Sequence, residues 1–507
     1  MEKSILIGGE AGQGSAVTSH LIGKIFSQLG YYVFNYRDYP SLIRGGHNFN
    51  VLTVSDKPVY SHSNEYDIIL ALDQKTVDLH KKNLKKKGFI VSKEETDPVV
   101  EKLKGPKILA NDVLIGYLFK HFGVDLKILT DAAEKEFGKK ADLIEKAIEE
   151  GYRLGKEKEK LGKSNPKYFI SGNEGIGVGA LAAGLDVYLA YPMTPATPLL
   201  QFLAERQIEN NILVFQPENE ISVVNAALGA SFTGAKVMVG TSGGGFALMT
   251  EALSLSGMAE LPLVIYLSQR TAPSTGVPTY TAQGDLKFAL NAGHGEFPKV
   301  VVAPGDPQEA IIRTQEAFYL ASKYRMPAII LGDKHLGESN YTFDRIQKSQ
   351  LLGFSQPVAR ASSYEHNEEG YTVEDAATVV KMQERRIGKE RLVEKEIGRL
   401  NPISIYGKGK NLIISHGSTK GAILDVLPRL QNFRFLQVSY LRPFPKEKVK
   451  GEIKKSGKVI LVENSAKGGL ADVIAEQTGL IIQNKVLKYD ARPFTPEFLI
   501  REIKKRR

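Results

Sequence analysis

Two carboxylates, Glu218 and Glu220, flank Asn219 just ahead of a helical pattern over Ile221 to Ser231. A carboxylate at a helix start can complement the helix dipole, or it can be held free to act on a ligand. For either glutamate taken alone, capping is the commoner use. A second candidate is Tyr191-Pro192-Met193-Thr194-Pro195-Ala196-Thr197-Pro198, which follows an apolar strand pattern. Each proline fixes its own φ and biases the residue before it away from helix. The loop is therefore rigid, and Thr194 between two constrained positions presents a hydroxyl at low entropic cost. A stiff connection explains the same residues. Arg270 follows the apolar run ending at Leu267, inside Ser268-Gln269-Arg270-Thr271-Ala272-Pro273-Ser274-Thr275-Gly276. A guanidinium there can clamp a carboxylate through paired N–H groups, although most single arginines are surface charges.

Two glycine turns complete the set. Gly8-Gly9-Glu10-Ala11-Gly12-Gln13-Gly14-Ser15 and Thr241-Ser242-Gly243-Gly244-Gly245-Phe246 each join a strand pattern to a helix pattern. Glycine lets backbone amides approach a ligand, and a helix N-terminus favours an anion. The first turn does not fit G-x-G-x-x-G, because position 17 after Gly12 and Gly14 is Val, so a nicotinamide fingerprint is disfavoured. A turn needed only for packing is an equally good reading of both.

The elements that position these residues read as α/β. Ile5 to Ile7 is a strand, about Ala16 to Leu29 a helix with Gly30 suited to its C-terminal end, and Tyr31 to Asn35 a second strand. That β-turn-α-β order predicts a parallel sheet. Short apolar strands at Leu185 to Ala190, Lys236 to Val239, Leu263 to Leu267 and Met326 to Leu331 alternate with small-residue helices. A further set at Leu412 to Ser415, Phe435 to Val438 and Val459 to Glu463 predicts more parallel strands. The chain divides into domains at 1–161, 168–340 and 411–507. A polar, irregular connection over 341–410 is expected to wrap the surface, with an exposed helix at Glu390 to Leu400.

The 507 residues exceed one ordinary core, and 42% hydrophobic with 24% charged residues is ordinary for a soluble protein. The start of the chain reads as a first strand rather than a targeting leader, and no apolar run is long enough to span a bilayer, so a cytoplasmic protein is expected. The net charge of +10 lies largely in lysine runs such as Lys156 to Lys160, without interleaved aromatics, which disfavours nucleic-acid binding. The basic balance suits anionic partners. Cysteine is absent. That excludes disulfides, a thiolate nucleophile and a cysteine-ligated iron–sulfur cluster within the chain. The nine histidines show no metal-site spacing.

Taken in order, these segments resemble the 2-oxoacid:ferredoxin oxidoreductases, in the form that fuses gamma and alpha parts. Gly8 to Ser15 with Pro40-Ser41-Leu42-Ile43-Arg44-Gly45-Gly46 resembles the gamma part. Ser171-Gly172-Asn173-Glu174, the Tyr191 to Pro198 loop, the Glu220 helix and Thr241 to Gly245 resemble the pyrimidine-binding part of alpha. Gln269 to Thr275, Gln283-Gly284-Asp285-Leu286 and Gly293-His294-Gly295-Glu296-Phe297-Pro298 continue the likeness. Leu441-Arg442-Pro443-Phe444-Pro445 and Val462-Glu463-Asn464 are similar to the transketolase-like C-terminal domain.

The resemblance implies a thiamine-diphosphate enzyme with three α/β domains. Glu220 matches the glutamate that meets N1′ of the aminopyrimidine, with Glu218 the alternative. That contact favours the imino tautomer, whose 4′ nitrogen can take the proton from thiazolium C2. Thr194 matches the threonine that contacts the 2-oxoacid, and Arg270 the arginine that holds its carboxylate. Tyr191, Pro192, Ser242 and Gly243 fall among the cofactor-binding positions, and Gly12 and Gly14 in the part linked with coenzyme A. Thiamine enzymes usually mark their Mg²⁺ site with G-D-G. Gly284-Asp285-Leu286, Gly305-Asp306-Pro307 and Gly332-Asp333-Lys334 each lack the second glycine. The family places Mg²⁺ and a [4Fe-4S] cluster on a beta subunit, so a split site and a ferredoxin partner are implied. Of the substrates, 2-oxoglutarate is expected, with pyruvate or a broad 2-oxoacid range as the runner-up. A non-catalytic nucleotide-binding scaffold and a non-oxidative thiamine enzyme are the readings from other classes.

Overall fold

Ile5, Leu6 and Ile7 are fully buried in the strand Glu2–Gly9, which opens the first of three sheets. The computed structural model describes residues 1–40, 46–138, 141–347, 349, 351, 358 and 361–506. Residues 41–45 of the Pro40 to Gly46 motif lie outside that set. Contacts divide the chain into two units: Met1–Ile170 with Ser339–Ile346 and Thr495–Glu497, and Ser171–Glu338 with Gln347–Phe494 and Phe498–Arg507.

The first unit carries a mixed sheet, where the β-turn-α-β reading predicts a parallel one. Its order is Leu84–Val91, Tyr66–Ala71, Glu2–Gly9, Asn48–Ser55, Tyr32–Asp38, Asn340–Phe343 and Tyr168–Ser171. Asn48–Ser55 lies antiparallel between the two strands that the sequence reads as neighbours, in register from Glu2↔Ser55 to Gly9↔Asn48. The helix Ser15–Gln28 packs Leu21, Ile22, Ile25 and Phe26 onto the sheet, and Gly30 ends it with φ +91°.

The second unit holds two sheets. The larger runs Tyr440–Arg442, Val300–Val302, Pro327–Asp333, Leu263–Gln269, Val237–Thr241, Val187–Leu189 and Leu213–Phe215. All its pairs are parallel except the one made by Tyr440–Arg442. Its inner strands Val237–Thr241, Leu263–Gln269, Pro327–Asp333 and Val300–Val302 are buried along their length, as expected where a sheet is covered on both faces. The smaller sheet runs Ile403–Tyr406, Phe433–Val438, Asn411–Ser415, Val459–Glu463 and Lys485–Leu487, antiparallel only at its first pair. Leu412, Ile414 and Leu436 of this sheet share one apolar cluster with Val239, Leu263 and Leu267 of the other.

The stretch read as an irregular surface connection is more ordered than that. Asn340–Phe343 is a strand of the first unit's sheet, paired with Phe34 and Asn35. Ala376–Ile397 is a 22-residue helix rather than a short exposed one at its C-terminal end. Met382, Arg386, Lys389, Val393 and Ile397 recur at three- and four-residue intervals, so they share a face. Val393 and Ile397 enter the core, Arg386 donates to Glu365 at 2.7 Å, and Lys389 pairs with Glu260 at 2.6 Å. The polar outer face dilutes the apolar period that would have marked this helix. Among the described residues no helix is long and apolar enough to cross a membrane.

Candidate active site

Strands Leu213–Phe215, Val187–Leu189, Val237–Thr241 and Leu263–Gln269 are consecutive parallel neighbours, so their C-terminal ends share one edge of the sheet. Four segments leave that edge: residues 216–219, 190–196, 242–245 and 270–276. The first leads into Glu220 at the start of its helix, and the others carry Thr194, Ser242 with Gly243, and Arg270. This is the edge at which open α/β sheets bind ligands.

The helix Glu220–Phe232 is capped by Asn219, whose Oδ1 accepts from the Ser222 backbone N–H at 2.9 Å. Capping therefore does not occupy a glutamate. Glu218 is exposed, whereas Glu220 is 5% exposed. The Glu220 carboxylate lies against the glycine turn: a β-carbon on Gly245 would stand 2.7 Å from Glu220 Oε1 and 2.2 Å from Thr241 Oγ1. The glycine is required there for close approach, because a β-carbon cannot fit. Ser242 is fully buried with its hydroxyl unpartnered.

Arg270 and Thr194 come together. Arg270 Nη1 donates to the Thr194 carbonyl oxygen at 2.8 Å, which joins the proline-rich loop to the next strand end but one. Asn173 Nδ2 supports the same loop, donating to Pro195 O at 3.1 Å, while its Oδ1 is buried and unpartnered. Tyr191 and Pro192 stand exposed at the edge. Burial draws the Arg270 guanidinium below its usual pKa, and Asp285 opposes that shift.

Asp285 is the residue that sequence reasoning missed. Its backbone N–H donates to Gln269 Oε1 at 2.9 Å, and Gln269 Nε2 donates to Gly332 O at 3.0 Å. Its Oδ2 is buried without a partner, 2.6 Å from where a β-carbon on Gly243 would stand. Burial raises its carboxyl above the usual range and Arg270 opposes. In sequence it appeared without a role, within the Gln283-Gly284-Asp285-Leu286 segment of the family likeness and as an incomplete G-D-G, and no local spacing says that residue 285 returns to the end of strand Leu263–Gln269.

Gly12 and Gly14 belong to the first unit. Their φ values are +94° and +85°, and Gly14 caps the helix Ser15–Gln28. Glu10 N–H donates to Gln13 Oε1, and Asn111 Nδ2 to Gln13 O, both at 2.8 Å. Beside the turn is a pocket of about 230 Å³ lined by Gly14, Val17, Ile108, Asn111, Asp112 and Phe137 among others. Burial raises the Asp112 carboxyl to about 7.

Comparison with known proteins follows this division. Residues 4–154 match the family described as pyruvate ferredoxin/flavodoxin oxidoreductase, and residues 178–395 the thiamine-diphosphate-binding family of pyruvate flavodoxin/ferredoxin oxidoreductase. A 2-oxoacid:ferredoxin oxidoreductase subunit alpha from a Sulfolobus species is 30% identical, over 99% of this chain and 97% of its own length. The chain belongs to the 2-oxoacid:ferredoxin oxidoreductase alpha subunits. The 2-oxoglutarate synthase subunit KorA of Methanothermobacter thermautotrophicus is 31% identical over 59% of this chain and 87% of its own. The solved 2-oxoglutarate:ferredoxin oxidoreductase from Magnetococcus marinus, which holds 2-oxoglutarate, coenzyme A and succinyl-CoA, is 25% identical with a TM-score of 0.89 over 99% of both chains. An oxidoreductase subunit of this family is not a non-catalytic scaffold, and that reading is set aside.

Proposed function

We propose that this 2-oxoacid:ferredoxin oxidoreductase subunit converts 2-oxoglutarate and coenzyme A to succinyl-CoA and carbon dioxide, with reduction of ferredoxin. The observation that carries the reading is the gathering of Glu220, Thr194 and Arg270 at one sheet edge, in a chain alike over its full length to the Magnetococcus marinus enzyme. The name of the Sulfolobus relative is broader, and the family descriptions name pyruvate, so a pyruvate or broad-range enzyme is the second reading.

The residues fit thiamine diphosphate. Bare backbone at Gly243 and Gly245, the unpartnered Ser242 hydroxyl and the buried Glu220 carboxylate make a cradle with a free polar group on each side. Ser242, Gly243, Tyr191 and Pro192 would line the aminopyrimidine, and Glu220 would meet its ring nitrogen. When bound, the cofactor supplies the nucleophilic carbon and electron sink that cleavage beside a carbonyl needs. Glu220 holds or gives a proton at that ring nitrogen. Thr194 orients the 2-oxo group, and Arg270 holds the carboxylate. The bond between the carboxylate and 2-oxo carbons breaks, carbon dioxide leaves, two electrons pass singly to ferredoxin, and the acyl carbon joins the sulfur of coenzyme A as the thiol proton is released. Gly12 and Gly14 would receive the anionic coenzyme at the start of helix Ser15–Gln28.

With no cysteine in the chain, the cluster that carries the electrons must be held elsewhere. A beta subunit would supply the [4Fe-4S] cluster and the Mg²⁺ site, in a soluble cytoplasmic heteromer. The test is anaerobic purification of the chain with its partner, then coenzyme-A-dependent viologen reduction with 2-oxoglutarate and pyruvate side by side. Activity with 2-oxoglutarate in the complex, absent from the isolated chain, is expected. Glu220→Ala should lower it by about 10²- to 10⁴-fold with assembly intact. Greater activity with pyruvate would select the second reading, and full activity in the variant would remove Glu220 from the mechanism.

A further inference from the structure

The segment Ser171-Gly172-Asn173-Glu174 starts the helix Gly172–Ala182, and three of its residues fix that helix in place. Ser171 and Glu174 cap each other: Ser171 Oγ accepts from the Glu174 N–H at 3.2 Å, and the Glu174 carboxylate accepts from the Ser171 N–H at 2.6 Å. Gly172 gives room, since a β-carbon there would stand 2.2 Å from Leu336 O in helix Lys334–Glu338. Further along, β-carbons on Gly175 and Gly179 would each stand 2.6 Å from a carbonyl oxygen of helix Pro307–Tyr324. Those are backbone atoms, which cannot yield as the end of a side chain can. Glycine is a poor helix former, so helix propensity is given up here for close contact with other backbone.

Asn173 is the residue of the segment that reaches out of the helix. It is 1% exposed, and its Nδ2 donates to Pro195 O at 3.1 Å. The carbonyl before that one, Thr194 O, accepts from Arg270 Nη1 at 2.8 Å. The next one back, Met193 O, accepts from the Ala196 N–H at 2.8 Å and the Thr197 N–H at 3.2 Å. Three consecutive peptide planes around Thr194 are therefore held. The Ala196 N–H lies in the same plane as Pro195 O, because the peptide group is flat. The ring of Pro195 fixes its φ, and the bond from Asn173 fixes the torsion that remains, ψ. Asn173 thus turns the Ala196 N–H toward Met193 O. With the planes on both sides of Thr194 set, its φ and ψ are set. A β-branched side chain then has few directions in which its hydroxyl can point.

We propose that Asn173 is a positioning residue: by tying Pro195 O to helix Gly172–Ala182, it sets the direction in which Thr194 presents its hydroxyl to the 2-oxo group of the substrate. The proposal rests on the reading of Thr194 as the contact for that group. Buried as it is, Asn173 acts through the loop.

The test uses the assembled complex with Asn173→Ala and Asn173→Asp, beside Thr194→Val, which keeps the shape of threonine and removes its hydroxyl. KM and kcat would be measured for 2-oxoglutarate and for coenzyme A. Asn173→Ala should raise the KM for 2-oxoglutarate and lower kcat/KM for it about 10- to 100-fold. The KM for coenzyme A should stay within about 2-fold, since the coenzyme reacts after carbon dioxide has left. A fold weakened in general would lower kcat through a smaller active fraction and leave both KM values alone. Aspartate keeps the shape of asparagine, and burial raises the pKa of a carboxyl. Neutral at lower pH, it can donate to Pro195 O; ionised at higher pH, it cannot. The kcat/KM of Asn173→Asp for 2-oxoglutarate, relative to wild type, should therefore fall as pH rises, and that of Asn173→Ala should not change with pH. With Thr194→Val impaired, wild-type kinetics in Asn173→Ala overturn the proposal and leave the functional reading standing. Should Asn173→Ala not fold, a ratio independent of pH in Asn173→Asp does the same. Wild-type kinetics in Thr194→Val overturn the reading of Thr194, and the proposal with it.

Discussion

The molecule has two glycine turns that look alike as text and differ in what glycine does. At Gly12 and Gly14 in the first unit, glycine is needed for backbone shape: both have positive φ, and a β-carbon would meet nothing within 4 Å on Gly12 and only the ends of the Asn111 and Ile108 side chains, at 2.9 Å, on Gly14. At Gly243 and Gly245 in the second unit, neither φ is positive, and glycine is needed for room. Side chains press on that backbone, Asp285 on Gly243 and Glu220 on Gly245. A turn chosen for shape can be exposed and adaptable. A turn chosen for room is one wall of a site, and its glycines report on the carboxylates they face.

Substitution by alanine separates these two uses. Gly245→Ala carries the largest expected effect. Its β-carbon would overlap Thr241 Oγ1 and the Glu220 side chain, so one of them must move. Displacing Glu220 should lower turnover of the complex about 10²-fold or more, with a stability loss of about 1–3 kcal/mol by thermal unfolding. Turnover near wild type would show that Glu220 tolerates displacement, and the second turn would lose its claim to be a wall of the site. Gly14→Ala comes next. Its φ of +85° costs an L-residue about 1–2 kcal/mol, and its β-carbon would stand 2.9 Å from Asn111 Nδ2 and from Ile108 Cδ1. Denaturant unfolding should show a loss of about 1–3 kcal/mol, and the KM for coenzyme A should rise. No loss of stability would mean that the backbone there adapts, and the contrast between the turns would weaken.

Much of this arrangement was legible from sequence, and the illegible part has a common cause. Strands such as Leu263–Gln269 and Val459–Glu463 are continuous apolar runs, and the turns after them carry the residues of interest. Local pattern suffices for that. Neighbour order is not local: nothing in residues 1–35 says that Asn48–Ser55 will insert between the first two strands. The helix Ala376–Ile397 was hidden because its inward face uses Arg386 and Lys389, whose charges are met by Glu365 and Glu260 far away in sequence. The same limit applies at the site. Glu218 and Glu220 are equivalent as text, and only burial against Gly245 separates them. Asp285 is informative only once Gln269 and Gly243 are placed beside it.

The smallest effect is expected at Gly244, and it probes what the chain alone cannot display. It sits in helix Gly243–Leu248 between two glycines that have no room for a methyl group, yet it is exposed, its φ is not positive, and a β-carbon would meet nothing within 4 Å. Nothing in the folded chain therefore requires glycine there. Gly244→Ala should leave the thermal stability of the chain within about 0.5 kcal/mol of wild type, and alanine's helix propensity even favours the change. If glycine is kept at 244 for the same reason as at its neighbours, the object it makes room for is a ligand or partner rather than this chain. The variant complex should then show a raised KM for thiamine diphosphate despite unchanged stability. Because folding and ligand approach are separated at this one position, a silent variant confines the need for room to Gly243 and Gly245, and an impaired one extends the wall of the site along the helix start.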